Sequence, residues 1–233
     1  MIEREGLQGI KGILFDCYKT LIDIVTDEDD HKTYESLSNW LIYQGVRITP
    51  DRLKREYKGS CLLGTQGGGQ AYPEVRVEKI FQGICKQHSL WDIDETTLGE
   101  ETARAFRSAS LRRLQVFPQS VRLLEELKSY PLGIVSNGQR VFSEIELRYL
   151  DLFDHFQSVI FSSDLGFKKP DPRIFLAGAR ALGLNEKEVL YIGDNFENDI
   201  IPSVKLGMKS MHIEEAWRFF KVFEEDPQRI GFR

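Results

Sequence analysis

The sequence is poor in cysteine: Cys17, Cys61 and Cys85 are the three in 233 residues. So sparse and odd a set excludes a disulfide framework, and no two are spaced as metal ligands. No run of about 18 apolar residues occurs, which excludes a membrane-spanning helix. The start, MIEREGLQGIKG, lacks the apolar stretch of a secretion signal. Basic charge is not in excess: 31 Lys and Arg face 36 Asp and Glu, a net charge of −5. That balance argues against a nucleic-acid backbone as partner. There are no internal repeats, and compositional bias is confined to GTQGGGQ at 64–70. His31, His88, His155 and His212 are scattered without ligand spacing and read as surface or packing residues. The expected setting is the cytoplasm, as a monomer or a homodimer, with no membrane and no nucleic acid.

What is present is a chain with 41% hydrophobic and 29% charged residues, enough for one large domain or two small ones. Ile10–Phe15 is a short apolar run after glycine that fits a buried parallel strand ending at Asp16. From about 24 to 112 the pattern is helical and contains no convincing strand. Asp29 and Asp30 precede Tyr34, Leu37, Trp40 and Leu41 at helical spacing, and Gly45 closes that run. Thr49-Pro50 opens a second helix, a third begins near Pro73, and a last one runs from about Glu100 to Leu111. After Phe117, strands alternate with helices: Leu132–Val135, Ser158–Phe161 and Val189–Ile192 are the strands. The fold class expected is α/β, a Rossmann-like parallel sheet core with an inserted all-helical cap. The core takes 1–22 and 113–233, and the cap 23–112.

In such a sheet, ligands bind beyond the carboxyl ends of the strands. Asp16, Ser136, Lys169, Asp194 and Asp199 fall at strand ends or in the loops that follow. Taken singly each has a bland reading: a helix cap, a Ser-Asn-Gly turn, an exposed lysine, a loop charge. Together, carboxylates without His or Cys suit a hard cation such as magnesium. A lysine and a hydroxyl beside that cation suit an anionic substrate, most naturally a phosphate.

The order and spacing of four motifs resemble the haloacid dehalogenase superfamily: ILFDCYKTL (13–21), IVSNG (134–138), GFKKPDPRIF (166–175) and YIGDNFEND (191–199). The resemblance implies Asp16 as nucleophile, forming an aspartyl intermediate. It implies Thr20, Ser136 and Asn137 as substrate-binding residues, and Lys169 as the charge that steadies Asp16 and the substrate. It implies Mg2+ held by Asp16, the backbone carbonyl of Tyr18, Asp194 and Asp199. The substrate it implies is a small phosphorylated metabolite.

One departure bears on chemistry. Phosphatases of this superfamily carry D-x-D-x-T, whose second aspartate is the general acid. Here Asp16-Cys17-Tyr18-Lys19-Thr20 puts tyrosine in that place. A phenol with a reference pKa of about 10 is a far weaker acid. D-x-Y-x-T resembles the 2-haloacid dehalogenase branch, which is metal-independent. Asp194 speaks for a metal, because two carboxylates side by side without a cation resist joint ionisation. The expected function is a magnesium-dependent phosphatase. A dehalogenase and a catalytically weak, phospholigand-binding protein remain alternatives. Lys19 either adds charge near a phosphate or faces solvent. Cys17 is expected to pack on the opposite side of the strand from Asp16. Gly67-Gly68-Gly69 is either a lid loop or a plain connection, and Ala216–Phe223 either packs on the core or forms a dimer contact.

Overall fold

The computed structural model describes residues 6–66 and 69–223. Five parallel strands form the central sheet in the order β5-β4-β1-β6-β7. These are β1 (Gly12–Phe15), β4 (Leu132–Ser136), β5 (Ser158–Phe161), β6 (Val189–Gly193) and β7 (Lys209–His212). β1, β4 and β6 are wholly buried, as continuous apolar runs in a doubly covered sheet should be. Side chains alternate across the pleat: Ile13, Phe15 and Cys17 enter one apolar cluster, while Leu14 enters the other. Cys17 is therefore a packing residue, and burial is the main reason its thiol is held well above its usual pKa.

Helices α5 (Pro118–Leu127), α6 (Arg140–Tyr149), α8 (Pro172–Ala181) and α10 (Ile213–Phe219), with the short α7 (Ser162–Leu165) and α9 (Ile201–Lys205), flank the sheet. At α8, Asp171 accepts a hydrogen bond from the Arg173 N–H and Pro172 occupies the first turn, so the GFKKPDP run both ends a loop and starts a helix. Trp217 and Phe220 pack on the core, with Trp217 Nε1 donating to Ser120 Oγ at 3.3 Å, whereas Phe223 is half exposed. β7 had no counterpart among the expected strands, because KSMH carries no apolar run.

Between β1 and β4 the chain builds α1 (His31–Tyr43), α2 (Pro50–Gln66), α3 (Val77–His88) and α4 (Glu95–Ser110), which share a separate apolar cluster. Its centre is aromatic: Tyr57 stacks on Phe81 at 4.9 Å, and Phe106 lies 4.8 Å from Tyr57 and 5.4 Å from Phe81. Three expectations for this stretch need correction. It is not free of strands: β2 (Ile22–Thr26) and β3 (Leu111–Val116) pair antiparallel, and the expected boundaries near 22 and 113 fall inside this ribbon. The third helix begins at Val77, because 72–74 is extended and docks on 166–168, with the Glu74 N–H donating to Gly166 O and the Lys168 N–H to Tyr72 O. The fourth begins at Glu95, where Asp94 caps the N–H groups of Thr96 and Thr97. Of the glycine run, Gly67 and Gly68 lie outside the described residues. Among the described residues, no helix is long and apolar enough to cross a membrane.

Candidate active site

The sheet order reverses between β1 and β6, so a crevice opens beyond their carboxyl ends. Asp16 follows β1, and its N–H still donates to Ile192 O of β6 at 2.9 Å, which fixes its backbone. Asp194 follows β6. After it comes a π-type turn, Phe196–Ile200, in which Asn195 caps the N–H groups of Glu197 and Asn198. The turn swings Asp199 back beneath the strand end. Gly193 is required there: a Cβ on it would lie 2.6 Å from Asp199 Cγ.

Lys169 is the hub. Its ammonium donates to Asp16 Oδ1 at 2.6 Å, to Asp199 Oδ1 at 2.6 Å and to the Tyr191 hydroxyl at 3.0 Å, and it is only 3% exposed. Burial opposes the charged ammonium, but Asp16 and Asp199 outweigh it and raise the Lys169 pKa. Asp199 Oδ1 also accepts from Tyr191 at 3.1 Å and its Oδ2 from the Asn195 N–H at 3.0 Å. Burial first, then Asp16, hold its carboxyl above the ordinary range. The half-buried Asp194 is raised too, by burial and then by Asp199, against the charges of Lys169 and Lys19. Thr20 Oγ1 lies 3.3 Å from Asp16 Oδ2 and 3.5 Å from Asp194 Oδ1.

Ser136 ends β4, 1% exposed, and its hydroxyl has no hydrogen-bond partner among the described residues. A buried, unpaired hydroxyl costs about 1–3 kcal/mol, which a ligand oxygen would recover. Asn137 is turned elsewhere. Its Nδ2 donates to Lys169 O at 3.1 Å and its Oδ1 accepts from the Lys169 N–H at 2.7 Å, so its amide clamps the lysine's main chain. The Tyr18 side chain also leaves the crevice, with its phenol 2.6 Å from both Ser143 Oγ and Glu146 Oε2 on α6. Burial, then Cys17 and Glu146, hold that phenol well above its usual pKa. Sequence reasoning missed Tyr191, whose hydroxyl had to find a partner inside an otherwise apolar strand. It also missed His212, whose Nε2 bonds Asp194 O at 2.9 Å.

Lys19 is exposed and adopts φ 63°, the left-handed region that disfavours a side chain. That conformation costs an ordinary residue about 1–2 kcal/mol. A glycine gives back roughly 0.5–1 kcal/mol in unfolded-state entropy. Lys19→Gly is therefore expected to leave the protein slightly more stable, with a Tm rise of about 1–3 °C on thermal denaturation. A fall in Tm would show that the side chain makes contacts worth more than the strain.

The donor set fits a hard divalent cation. Asp16, Asp194 and Asp199 each offer an oxygen, all within 4.8 Å of one another. Three carboxylates face one ammonium, a surplus of two negative charges in a largely buried pocket. Such a surplus is strongly unfavourable without a counter-ion, and all-oxygen ligation suits magnesium.

Comparison with known proteins agrees. The sequence model of the haloacid dehalogenase-like hydrolases matches residues 10–203. The chain is 31% identical over 114 residues to glyceraldehyde 3-phosphate phosphatase of Methanopyrus kandleri, covering 48% of this chain and 49% of that protein. It is 26% identical over 214 residues to phosphoglycolate phosphatase of Yersinia pseudotuberculosis, covering 91% and 84%. A crystal structure of a HAD phosphatase from Thermococcus onnurineus superposes with a TM-score of 0.55 at 25% identity, covering 86% and 85%. The chain spans about half the length of the first curated relatives it matches. The family match takes in β1, β4, β5 and β6 and the crevice residues from Asp16 to Asp199, and this protein belongs to the haloacid dehalogenase-like hydrolases.

Proposed function

We propose that the protein is a magnesium-dependent phosphatase of small phosphorylated metabolites, working through an aspartyl-phosphate at Asp16. The observation that carries this reading is the cluster of Asp16, Asp194 and Asp199, with Lys169 bonded to Asp16 and Asp199, and the Ser136 hydroxyl, unpaired among the described residues, at the end of β4. Asp16, the Tyr18 carbonyl, Asp194 and Asp199 would hold the ion, which supplies charge neutralisation for the transferring phosphoryl group. An Asp16 oxygen attacks phosphorus, the bond to the leaving oxygen breaks, and that oxygen departs with the electron pair. Water then displaces Asp16 and releases phosphate. Thr20 and Ser136 hold phosphoryl oxygens, Lys169 offsets the charge of Asp16, and Asn137 keeps Lys169 in place. The chain divides into a core of 1–22 and 113–233 and a helical cap of 23–112, with the β2–β3 ribbon as the crossing between them.

The phenol of Tyr18 is bound to Glu146 and raised in pKa, so it does not replace the acid of D-x-D-x-T. A positioned acid is worth about 10²–10⁴-fold. Acyl and aryl phosphates, whose leaving groups need no proton, are expected to turn over faster than an alkyl phosphate by a factor in that range. A leaving-group series with and without magnesium tests this. Turnover that ignores magnesium removes the metal dependence, and no turnover of any phosphate ester removes the phosphatase reading. Halide release from 2-chloropropionate in EDTA would favour the dehalogenase alternative.

A further inference from the structure

The group that holds Tyr18 joins four separate stretches of chain. Arg107, on α4, donates from Nε to Glu146 Oε1 at 2.6 Å and from Nη2 to Glu146 Oε2 at 3.2 Å, a two-pronged pair between α4 and α6. Glu146 Oε2 also takes the single phenol proton of Tyr18, while the Ser143 hydroxyl meets the phenol oxygen from the other side. The guanidinium lies 5.5 Å from the Tyr18 ring centroid and 4.5 Å from that of Phe142. Glu28, ahead of α1, approaches Arg107 at 3.8 Å. The Arg107 and Glu146 side chains are 11% and 7% exposed, so this is a desolvated contact and not a surface ion pair.

Tyr18 is two residues from Asp16 and two from Thr20, in a tight loop. The Leu21 and Ile22 N–H groups both donate to Cys17 O, at 2.8 and 3.1 Å, and the Lys19 N–H donates to Ile22 O at 2.7 Å. A loop closed this way moves as one piece. Anchoring the Tyr18 side chain therefore adds to what holds Asp16 and Thr20, alongside the Asp16 N–H bond to Ile192 O and the Ser120 Oγ bond to Thr20 O.

We propose that Arg107 and Glu146 are positioning residues for the crevice, acting through Tyr18, so that the docking of α4 on α6 adds a hold on the nucleophile's loop beyond the Asp16 bond to β6. The inference rests on the reading of Asp16 as nucleophile. Guanidinium geometry makes the contact selective: a planar fork satisfies both Glu146 oxygens at one relative placement of the two helices. A displacement of about 1 Å at reacting atoms can cost on the order of 10²-fold in rate.

The test uses the full chain, three single variants and one double variant. Tyr18→Phe removes the phenol link but keeps the ion pair, Arg107→Met removes the ion pair, and Arg107→Lys keeps the charge without the fork. Hydrogen–deuterium exchange of the peptide covering 16–22 is the readout that does not need turnover. Uptake there is expected to at least double in Tyr18→Phe and Arg107→Met, and to fall back partway in Arg107→Lys. On an aryl phosphate, both variants are expected to lose about 10- to 100-fold in kcat with little change in KM. The Tyr18→Phe/Arg107→Met double variant should be no worse than the poorer single one. Uptake confined to α4 and α6, with 16–22 unchanged, overturns the proposal and leaves Arg107 a stability residue. Kinetic losses that add in the double variant overturn it as well. If no phosphate ester is turned over, the phosphatase reading fails, and the exchange data still decide the coupling.

Discussion

Lys169→Met is expected to unfold the protein more readily than any surface change and to abolish most of its activity. The ammonium sits 2.6 Å from both Asp16 Oδ1 and Asp199 Oδ1, and both carboxylates are nearly inaccessible to water. Removing one partner of a buried ion pair costs about 3–5 kcal/mol, because the remaining charges are left without compensation. In a chain of this size that corresponds to a Tm loss of roughly 10 °C. Activity should fall by about 10²–10³-fold or more, the usual penalty for losing a fixed positive group beside developing charge. Magnesium should recover part of the stability but not the rate, since an ion held by Asp16, Asp194 and Asp199 offsets their charge without replacing the ammonium that donates to Asp16. Chemical denaturation with and without magnesium measures the first effect, and initial rates on an aryl phosphate the second. A loss under about 1 kcal/mol would mean that Asp16 and Asp199 take up a proton or water freely, and that the cluster is less dry than its burial implies.

β1, β4 and β6 were legible because they are continuous apolar runs, each ended by a chemically distinctive residue: Phe15 before Asp16, Val135 before Ser136, Gly193 before Asp194; β7, without such a run, was not. Nor was the ribbon. Ile22–Thr26 does alternate, but it follows the first strand with hardly a break, and Leu111–Val116 continues α4 without a turn signal. A two-stranded pairing across some 85 residues leaves no local trace. The third helix, expected from near Pro73, starts at Val77 for a tertiary reason, since 72–74 is occupied in bonding to 166–168.

At the crevice, residue types and order picked out Asp16, Ser136, Lys169, Asp194 and Asp199, and the family resemblance added Thr20; the fold brings Asp16, Thr20, Lys169, Asp194 and Asp199 together. Orientation lay beyond them. Asn137 is adjacent to Ser136 and equally polar, yet its amide is spent on the Lys169 main chain. Tyr18 stands where an acid was sought, yet its hydroxyl serves α6 and, through Glu146, α4. Which way a side chain points is set by partners distant in sequence, and neither Glu146 nor Arg107 carries a motif.

Asp16→Asn separates chemistry from stability in the opposite sense to Lys169→Met. Asparagine keeps the size and an oxygen for Lys169 but supplies no carboxylate to form the aspartyl intermediate. Turnover is expected to fall by at least about 10⁴-fold, as losses of a covalent nucleophile commonly do. Mass spectrometry after brief exposure to acetyl phosphate should find a phosphoryl adduct on the wild type and none on the variant. Stability should move the other way. Asp16 is one of the charges that raise the Asp199 carboxyl, and neutralising it cuts the surplus around Lys169 from two negative charges to one. The metal-free variant is therefore expected to be more stable than the metal-free wild type, by about 1 kcal/mol. Its response to magnesium should shrink, because one carboxylate ligand is gone. At a hundredfold excess over Kd the wild type should gain about 2.7 kcal/mol. A variant that gains as much from magnesium as the wild type would show that Asp16 is not among the ligands. One that still turns over phosphate esters at a tenth of the native rate would move the nucleophile elsewhere.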